Sequence, residues 1–251
     1  MIFGWFKRRR RRELLAHPFP DAWRALLEDR LAFHRSLDDA ARARLHDDLR
    51  ILLAEKHWEG CAGVSLTEEM KLLVAATASL LVLGREVDDL DRAESILIYP
   101  DTFVAPDHEV VGGEIVHEFE SERLGEAWRR GPIVLSWKEI QADLAAPDDG
   151  RNLILHEFAH ELEPAAWSEP FLDEYDAHCA DVDDGHDTLL DEYGATDEHE
   201  FFAVATECFF EQPWDMQAEL PELYGLLRDF YRQDPATRPR VSRKAARKKR
   251  T

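Results

Sequence analysis

The residues with the clearest chemical potential form a His-Glu-x-x-His stretch, His156-Glu157-Phe158-Ala159-His160. Histidines at positions i and i+4 of a helix lie one turn apart on the same face, so their imidazoles can bind one metal ion. Glu157 follows the first histidine, where its carboxylate can reach a metal-bound water molecule rather than the metal. Two ligands, one general base and an open coordination position are the arrangement of a zinc peptidase. The stretch therefore predicts a Zn²⁺ site with hydrolytic chemistry.

The residues around this motif indicate a mostly buried helix. They are apolar, namely Leu153, Ile154, Leu155, Phe158, Ala159 and Leu162. Two imidazoles and a carboxylate in such surroundings cost free energy unless they have partners, and a metal ion is a suitable partner. The alternative is a surface helix that happens to hold two histidines, but that helix would have polar neighbours.

A catalytic zinc ion needs a third protein ligand, and the acidic chain offers many candidates downstream. The segment 196–207 reads as a helix with Glu200 and Glu207 on one face, flanked by apolar residues. Glu200 is predicted to be the third ligand. Glu207 is predicted to accept a hydrogen bond from a ligating imidazole, with an ion pair to an arginine as the alternative. His199 is predicted to point elsewhere on this helix and to be exposed.

Two further histidines, His178 and His186, lie among the aspartates of residues 173–187. This segment lacks the ordered spacing of a calcium loop. A solvated acidic face is therefore favoured over a site for a hard cation.

The charge of the chain is unevenly distributed. Of its 251 residues, 52 are acidic and 31 basic, which gives a formal charge of −21. Six of the basic residues lie in residues 1–12 and eight in residues 238–251, and neither segment contains an acid. The body between them thus carries 52 acids against 17 bases. Such a body disfavours nucleic acid as the main ligand. The two ends are predicted to be solvated, disordered basic tails, with contact to anionic lipid, or weak contact to nucleic acid, as the alternative.

The cysteine pattern and the hydropathy indicate the compartment. Cys61, Cys179 and Cys208 are scattered and form no Cys-x-x-Cys pair, which argues for a reducing compartment and against a disulfide framework. The apolar residues at the start precede the arginines, which is the reverse of a signal peptide. The longest apolar run, Leu72 to Gly84, is too short to span a bilayer. We therefore expect a cytoplasmic protein without a membrane span.

The periodicity of apolar residues predicts a mainly helical α+β fold. Helices are expected over 21–35, 38–57, 67–83, 171–182, 197–212 and 217–232, in addition to the motif helix. Strands are expected over 95–99, 113–119 and 132–137, forming a small sheet beside the motif helix. A single domain over 13–237 is the simplest organisation, with a helical N-terminal part at 13–64 and the main core at 65–235.

Several other stretches match a known family. They are Ile98-Tyr99-Pro100, Val116-His117, Gly125 to Trp137, Asn152 to His160, Tyr193 to Asp197, Glu200 to Phe210, Leu223-Tyr224 and Phe230 to Pro235. Together they resemble the Mlc titration factor A family, which are zinc-dependent peptidases of the gluzincin type. The resemblance covers roughly residues 65–235 and is far more specific than His-Glu-x-x-His alone. It implies a zincin-like metallopeptidase domain that acts on a peptide or protein substrate.

The resemblance also implies roles for individual residues. His156 and His160 match the two helix ligands of zinc, Glu200 the third ligand and Glu157 the catalytic base. His117 matches a histidine that the family also places at the metal, although its spacing alone suggests only a strand residue. Tyr193 matches a tyrosine that is suited by position to donate a hydrogen bond to the oxyanion.

The chain departs from the family pattern directly after the motif. The family usually continues with Lys-Leu-Asp and a Gly- and Asp-rich loop, whereas here Glu161-Leu162-Glu163-Pro164 leads into residues 165–170. That loop is expected to border the substrate cleft, so the peptide preference stays open.

Two other functions remain open from the sequence. The family's name reflects capture of a glucose-responsive transcriptional repressor. The protein could therefore be a regulatory binding protein that sequesters a repressor of sugar uptake, with hydrolysis secondary. A third alternative is a purely structural metal site, which a filled four-ligand shell including His117 would support.

Overall fold

The structure is a computed structural model that describes residues 2–101, 110–111, 114–115 and 131–240. Side chains are described for residues 5–101 and 131–240. The predicted site residue His117, most of the predicted strand 113–119 and the last residues of the basic C-terminal segment lie outside the described residues.

The first helix corrects one prediction. Residues 2–12 are not a tail but belong to helix α1 (Ile2–Leu15), which packs on helix α4 (Asp39–Glu55). The physical reason is that acidic side chains of the body meet the basic ones of the helix. Arg11 forms two hydrogen bonds of 2.9 and 2.7 Å with the carboxylate of Glu55, and Lys7 Nζ lies 2.9 Å from Asp88 Oδ1.

The helical N-terminal part is more divided than the sequence predicts. The predicted helix 21–35 is two helices, α2 (Asp21–Arg30) and α3 (Ala32–Ser36), because Leu31 between them is extended. The predicted helix 38–57 ends at Glu55, and the chain continues into strand β1 (His57–Gly60).

Three parallel strands form the main sheet. Their order is β1, β2 (Ser95–Tyr99) and β5 (Ile133–Ser136), with Trp58 opposite Ile96 and Ile98 opposite Leu135. The predictions for β2 and β5 are confirmed. The third member is β1, which was not predicted as a strand and of which only His57 lay in a predicted helix. The strand predicted at 113–119 is described only at β4 (Glu114–Ile115), which pairs antiparallel with β3 (Val110–Val111) outside this sheet.

Helix α5 (Glu68–Leu81) lies in the chain between β1 and β2 and is buried nearly all round. Thr67 caps the start of this helix by accepting a hydrogen bond from the backbone N–H of Met70. Packing against both α4 and the motif helix makes α5 the centre of the described part of the domain.

The remaining helices follow β5. They are α6 (Trp137–Ala145), α7 (Leu153–His160), α8 (Glu169–Asp183), α9 (Glu198–Glu211), α10 (Pro213–Glu219) and α11 (Pro221–Tyr231). The motif helix α7 packs against α9, α5, α6 and β5. A mainly helical α+β fold with a small sheet beside the motif helix is thus confirmed. Within the described ranges, no helix has both the length and the apolarity needed to cross a membrane.

Buried hydrogen bonds attach the end of the domain to this core. Tyr231 and Thr206 share a hydrogen bond of 2.7 Å between their hydroxyl oxygens, and Gln233 Nε2 donates to the carbonyl oxygen of Leu80 at 2.8 Å. Arg85 lies over the ring of Phe230, 4.5 Å from its centre. These contacts fix α9, which carries one of the predicted ligands, relative to α5.

Candidate metal centre

Helix α7 begins at a dense set of polar contacts around Asn152. The Asn152 side chain accepts a hydrogen bond from the backbone N–H of Leu155 at 3.2 Å and so caps the helix. Asp143 Oδ2 accepts from the N–H of Leu153 at 2.9 Å, and a Glu207 oxygen accepts from the N–H of Asn152. Carboxylates at this end are stabilised by unpaired N–H groups and by the helix dipole. The start of α7 is therefore firmly fixed.

The three predicted ligands converge. His156 and His160 lie on one face of α7, and Glu200 comes from the first turn of α9, where Asp197 caps the helix. Glu200 Oε2 is 3.1 Å from Nε2 of His156 and 3.8 Å from Nε2 of His160. One ligand atom from each of the three residues lies within 4.8 Å of the other two. Two imidazole nitrogens and one carboxylate oxygen at this separation could hold one metal ion.

The other nitrogen of each imidazole has a carboxylate partner. His156 Nδ1 lies 2.8 Å from Glu207 Oε1, and His160 Nδ1 lies 2.7 Å from Glu163 Oε1. Because each carboxylate can accept the Nδ1–H, the neutral form of each imidazole has its lone pair on Nε2, the nitrogen that lies towards Glu200. The orientation that binds a metal is thus set before any metal is present.

Glu207 lies beside His156, one of the predicted ligands. Its two oxygens accept from His156 and from the backbone of Asn152, so it joins the metal face of α7 to the start of that helix. The alternative of an arginine partner is not seen among its described hydrogen bonds and ion pairs.

The electrostatics of this cluster favour a cation. Burial alone lowers the pKa of His156, but its hydrogen bonds with Glu200 and Glu207 outweigh burial and raise that pKa well above its ordinary value. The pKa of His160 is likewise raised against burial, chiefly by Glu163. Carboxylates that favour protons between these rings also favour a divalent cation, which would replace those protons. The residues present therefore fit a metal.

Glu157 has a different environment from the carboxylates that face the imidazoles. Burial raises the pKa of Glu157, and the nearby His156 and His160 only partly offset this effect. A carboxylate with a raised pKa is a better proton acceptor than an exposed one. Its position directly after His156 places it next to the three converging residues.

The prediction that His199 points away and is exposed is wrong. Its Nδ1 lies 2.8 Å from Glu163 Oε2, and Trp167 packs against its ring with the centres 5.8 Å apart. Glu163 thus bridges His160 and His199, and these bonds lower its pKa to about 2 although burial acts to raise it. This bridge was not predicted from the sequence. The signal for it was the i+3 spacing of Glu163 from His160.

The other candidate residues are placed as follows. Tyr193 lies in a short 3₁₀ turn (Glu192–Ala195), with its ring centre 6.1 Å from that of His156. His178 is buried and its Nε2 lies 3.2 Å from the carbonyl oxygen of Asp191, whereas His186 is exposed beside Asp181. Neither belongs to the metal cluster found among the described residues.

Two helix imidazoles, a carboxylate from a later helix and a glutamate beside the first imidazole define a site of the metallopeptidase type. The chain belongs to the glucose-regulated metallo-peptidase M90 family, whose sequence profile matches residues 5–165 and 161–232. The description of this family implies a metal. The resemblance drawn from the sequence motifs is confirmed.

Similar proteins match over most of the chain. An uncharacterized protein of Synechocystis, slr2042, is 35% identical over 244 residues, which cover 90% of this chain and 89% of the relative. Mlc titration factor A of Yersinia enterocolitica is 33% identical over 221 residues, which cover 80% of this chain and 82% of the relative. Mlc titration factor A of Salmonella gallinarum is 34% identical over 220 residues, with the same coverage.

Proposed function

We propose that this protein is a zinc-dependent peptidase with a zincin-like catalytic domain. The observation that carries the proposal is the convergence of His156, His160 and Glu200 within 4.8 Å. Two imidazoles and one carboxylate are a ligand set of catalytic zinc sites, in which a fourth position is open. Zinc bound there supplies a Lewis acid that polarises a carbonyl group and lowers the pKa of water.

Glu157 is proposed as the general base. Its carboxylate takes a proton from the attacking water molecule and returns it to the leaving amine of the cleaved peptide. The proposal is supported by its place beside the ligands and by the burial that raises its pKa. Glu163 and Glu207 hold the imidazoles in orientation through their Nδ1 atoms.

Tyr193 is proposed as a hydrogen-bond donor to the developing oxyanion. Its ring next to His156 supports this assignment. His117 is retained as a proposed additional metal-site residue on the family resemblance alone. Tyr193→Phe and His117→Ala test these assignments. Loss of cleavage with zinc retained indicates a catalytic role, and loss of zinc indicates a ligand role.

The test combines elemental analysis with cleavage of a set of fluorogenic peptides. Wild-type protein purified without chelator should hold about one zinc ion per chain. Glu200→Ala should lose zinc and cleavage together, whereas Glu157→Gln should keep zinc and lose cleavage. Glu198→Ala, in the same first turn of α9 but outside the metal cluster, is the matched control and should keep both. Full activity of Glu157→Gln, or wild-type protein without zinc, would overturn the proposal.

A second candidate function is capture of a transcriptional repressor. It is supported by the name of the relatives, Mlc titration factor A, and by the acidic body of this chain, which could meet the basic surface of a DNA-binding protein. A pull-down of an Mlc-type repressor with wild type and Glu200→Ala tests it. Binding that survives loss of zinc, without peptide cleavage by the wild type, would favour capture as the main function.

A further inference from the structure

The outward face of helix α1 carries two exposed aromatic side chains. Trp5 and Phe6 are 53% and 56% exposed, and they are the large apolar side chains left exposed among those that the structure describes. Their rings contact each other edge to face, with centres 5.1 Å apart. Two adjacent exposed aromatic side chains cost solvation free energy unless a partner covers them.

The opposite face of α1 is fixed to the body. Lys7 pairs with Asp88 and Asp91, and Arg11 pairs with Glu55 in a bidentate contact. Leu14 and Leu15 are partly buried and pack against the core. Because these contacts hold one side of the helix, its orientation is set and the aromatic pair faces outward.

The same outward side is strongly basic. Arg8, Arg9 and Arg12 are exposed there, whereas Arg10 donates a hydrogen bond of 2.7 Å to the backbone oxygen of Ala54 in the body. Arg9 lies over the Trp5 ring, 5.8 Å from its centre, and bonds Glu13, the single acidic residue of the helix. On a chain whose body has an excess of acids, this helix is a localised positive surface. We name the outward side of this helix the α1 surface, comprising Trp5, Phe6, Arg8, Arg9 and Arg12.

We propose that the α1 surface binds anionic lipid bilayers. Tryptophan and phenylalanine next to arginines are the residues by which a helix lies in a membrane interface, with its apolar side chains among the headgroups and its cations on lipid phosphates. The apolar rings and the positive charges act together, because neither two rings nor three arginines alone give firm attachment.

The geometry favours a lipid surface over nucleic acid. Proteins that stack bases offer open ring faces along a basic groove. Here the rings stand edge to face at 79° on the outward side of one helix, and Arg9 covers one of them. The acidic body also repels a long polyanion that would run beyond the helix, whereas a bilayer needs contact only with this helix.

The experiment is vesicle flotation of the full-length protein. One vesicle type contains phosphatidylcholine with roughly a third of phosphatidylglycerol, and the other contains phosphatidylcholine only. Wild type should float with the anionic vesicles, and its binding should fall as salt rises. It should stay unbound with neutral vesicles.

Three sets of substitutions test which residues bind. Trp5→Ala/Phe6→Ala and, separately, Arg8→Gln/Arg12→Gln should each weaken binding about tenfold or more. Glu13→Gln should strengthen it, because it removes the one negative charge of the helix. All these side chains are exposed, so thermal unfolding should stay close to wild type, which a melting curve checks.

Tryptophan fluorescence gives a second readout. Anionic vesicles should shift the emission of wild type to shorter wavelength, and the shift should be lost in Trp5→Phe, which retains an aromatic anchor. The proposal is overturned if wild type does not bind anionic vesicles at low salt. It is also overturned if the aromatic variant binds as well as wild type, or if a single-stranded oligonucleotide binds the α1 surface and vesicles do not.

Discussion

Replacing Glu207 by glutamine should weaken metal binding although Glu207 is not among the three converging ligand residues. Both oxygens of Glu207 accept hydrogen bonds, one with His156 Nδ1 at 2.8 Å and the other from the backbone of Asn152. Glutamine keeps the shape of the side chain but has one accepting oxygen and one donating NH₂ group. One of the two partners must therefore lose its acceptor.

The amide introduced by Glu207→Gln can be oriented in two ways, and each orientation costs free energy. If the amide oxygen stays with Asn152, the NH₂ group faces His156 Nδ1, and the ring must carry its proton on Nε2, where the metal would bind. If the oxygen stays with His156, the N–H of Asn152 is unsatisfied at the start of α7, which costs about 1 to 3 kcal/mol. Loss of such a carboxylate partner typically weakens metal affinity by about 10- to 100-fold, or about 1.4 to 2.7 kcal/mol.

The assay is competition for zinc with a chromophoric chelator at neutral pH, using wild type and Glu207→Gln. The matched control is Glu211→Gln. Glu211 lies one turn further along α9 and accepts from Asn152 Nδ2 and from the backbone of Asp148, but it does not contact an imidazole. The Glu211→Gln variant should be less stable than wild type, but its zinc affinity should stay within about threefold of the wild-type value.

Two results would refute this reasoning. Unchanged zinc affinity in Glu207→Gln would mean that the Nδ1 contact does not control the imidazole. An equal loss in Glu211→Gln would mean that the start of α7, rather than the histidine orientation, sets the affinity.

Three further predictions concern stability. His34 and His46 form a buried pair, with Nε2 atoms 2.9 Å apart and with each pKa lowered to about 4, first by burial, then by nearby cationic groups. A lowered histidine pKa means that the unfolded chain binds more protons, so stability should fall from pH 6.5 towards pH 4. In urea titrations, the free energy of unfolding should fall less between pH 6.5 and pH 4 in His46→Gln than in wild type, by on the order of 2 to 3 kcal/mol. The same fall in both proteins would contradict this. Tyr231→Phe should cost about 1 kcal/mol by removing the hydrogen bond with Thr206, and adding Thr206→Val should recover most of it; strict additivity of the two losses in chemical denaturation would exclude this coupling. Gly84→Ala should cost about 1 to 3 kcal/mol, because its Cβ would lie 2.3 Å from the carbonyl oxygen of Tyr231. Gly225→Ala, with open space around the Cβ, is its control and should raise the melting temperature.

The sequence predicts the elements of this fold well where one periodic pattern continues without interruption. The core helix α5 and strands β2 and β5 follow from runs of apolar residues that are bounded by caps, glycine or proline. Errors occur where tertiary contacts override a local pattern. Leu31 divides one amphipathic pattern into two helices, and His57–Gly60 becomes a strand because β2 offers it a parallel partner.

Charge was the least predictable property. The arginines near the start are typical of a solvated tail, since sequence alone does not show that Glu55, Asp88 and Asp91 form a complementary surface. Likewise, His199 is separated by 36 residues from Glu163, the carboxylate that it contacts. Pairing between distant charged side chains depends on how the helices pack, and no spacing rule predicts it.

The sequence by itself determined which residues of one helix can hold a metal ion together. His156 and His160 share a face because helical geometry places residues i and i+4 together, and this local rule holds wherever the helix lies. Only the tertiary structure brings distant carboxylates to these imidazoles, and among them is Glu163, which the sequence did not single out. The packing of α9 on α7 selects Glu200 and Glu207, and the turn after α7 brings Glu163 to His160 and His199. The reason is physical: a helix fixes spacing along the chain, but distances between chain segments depend on the packed core that holds the helices together.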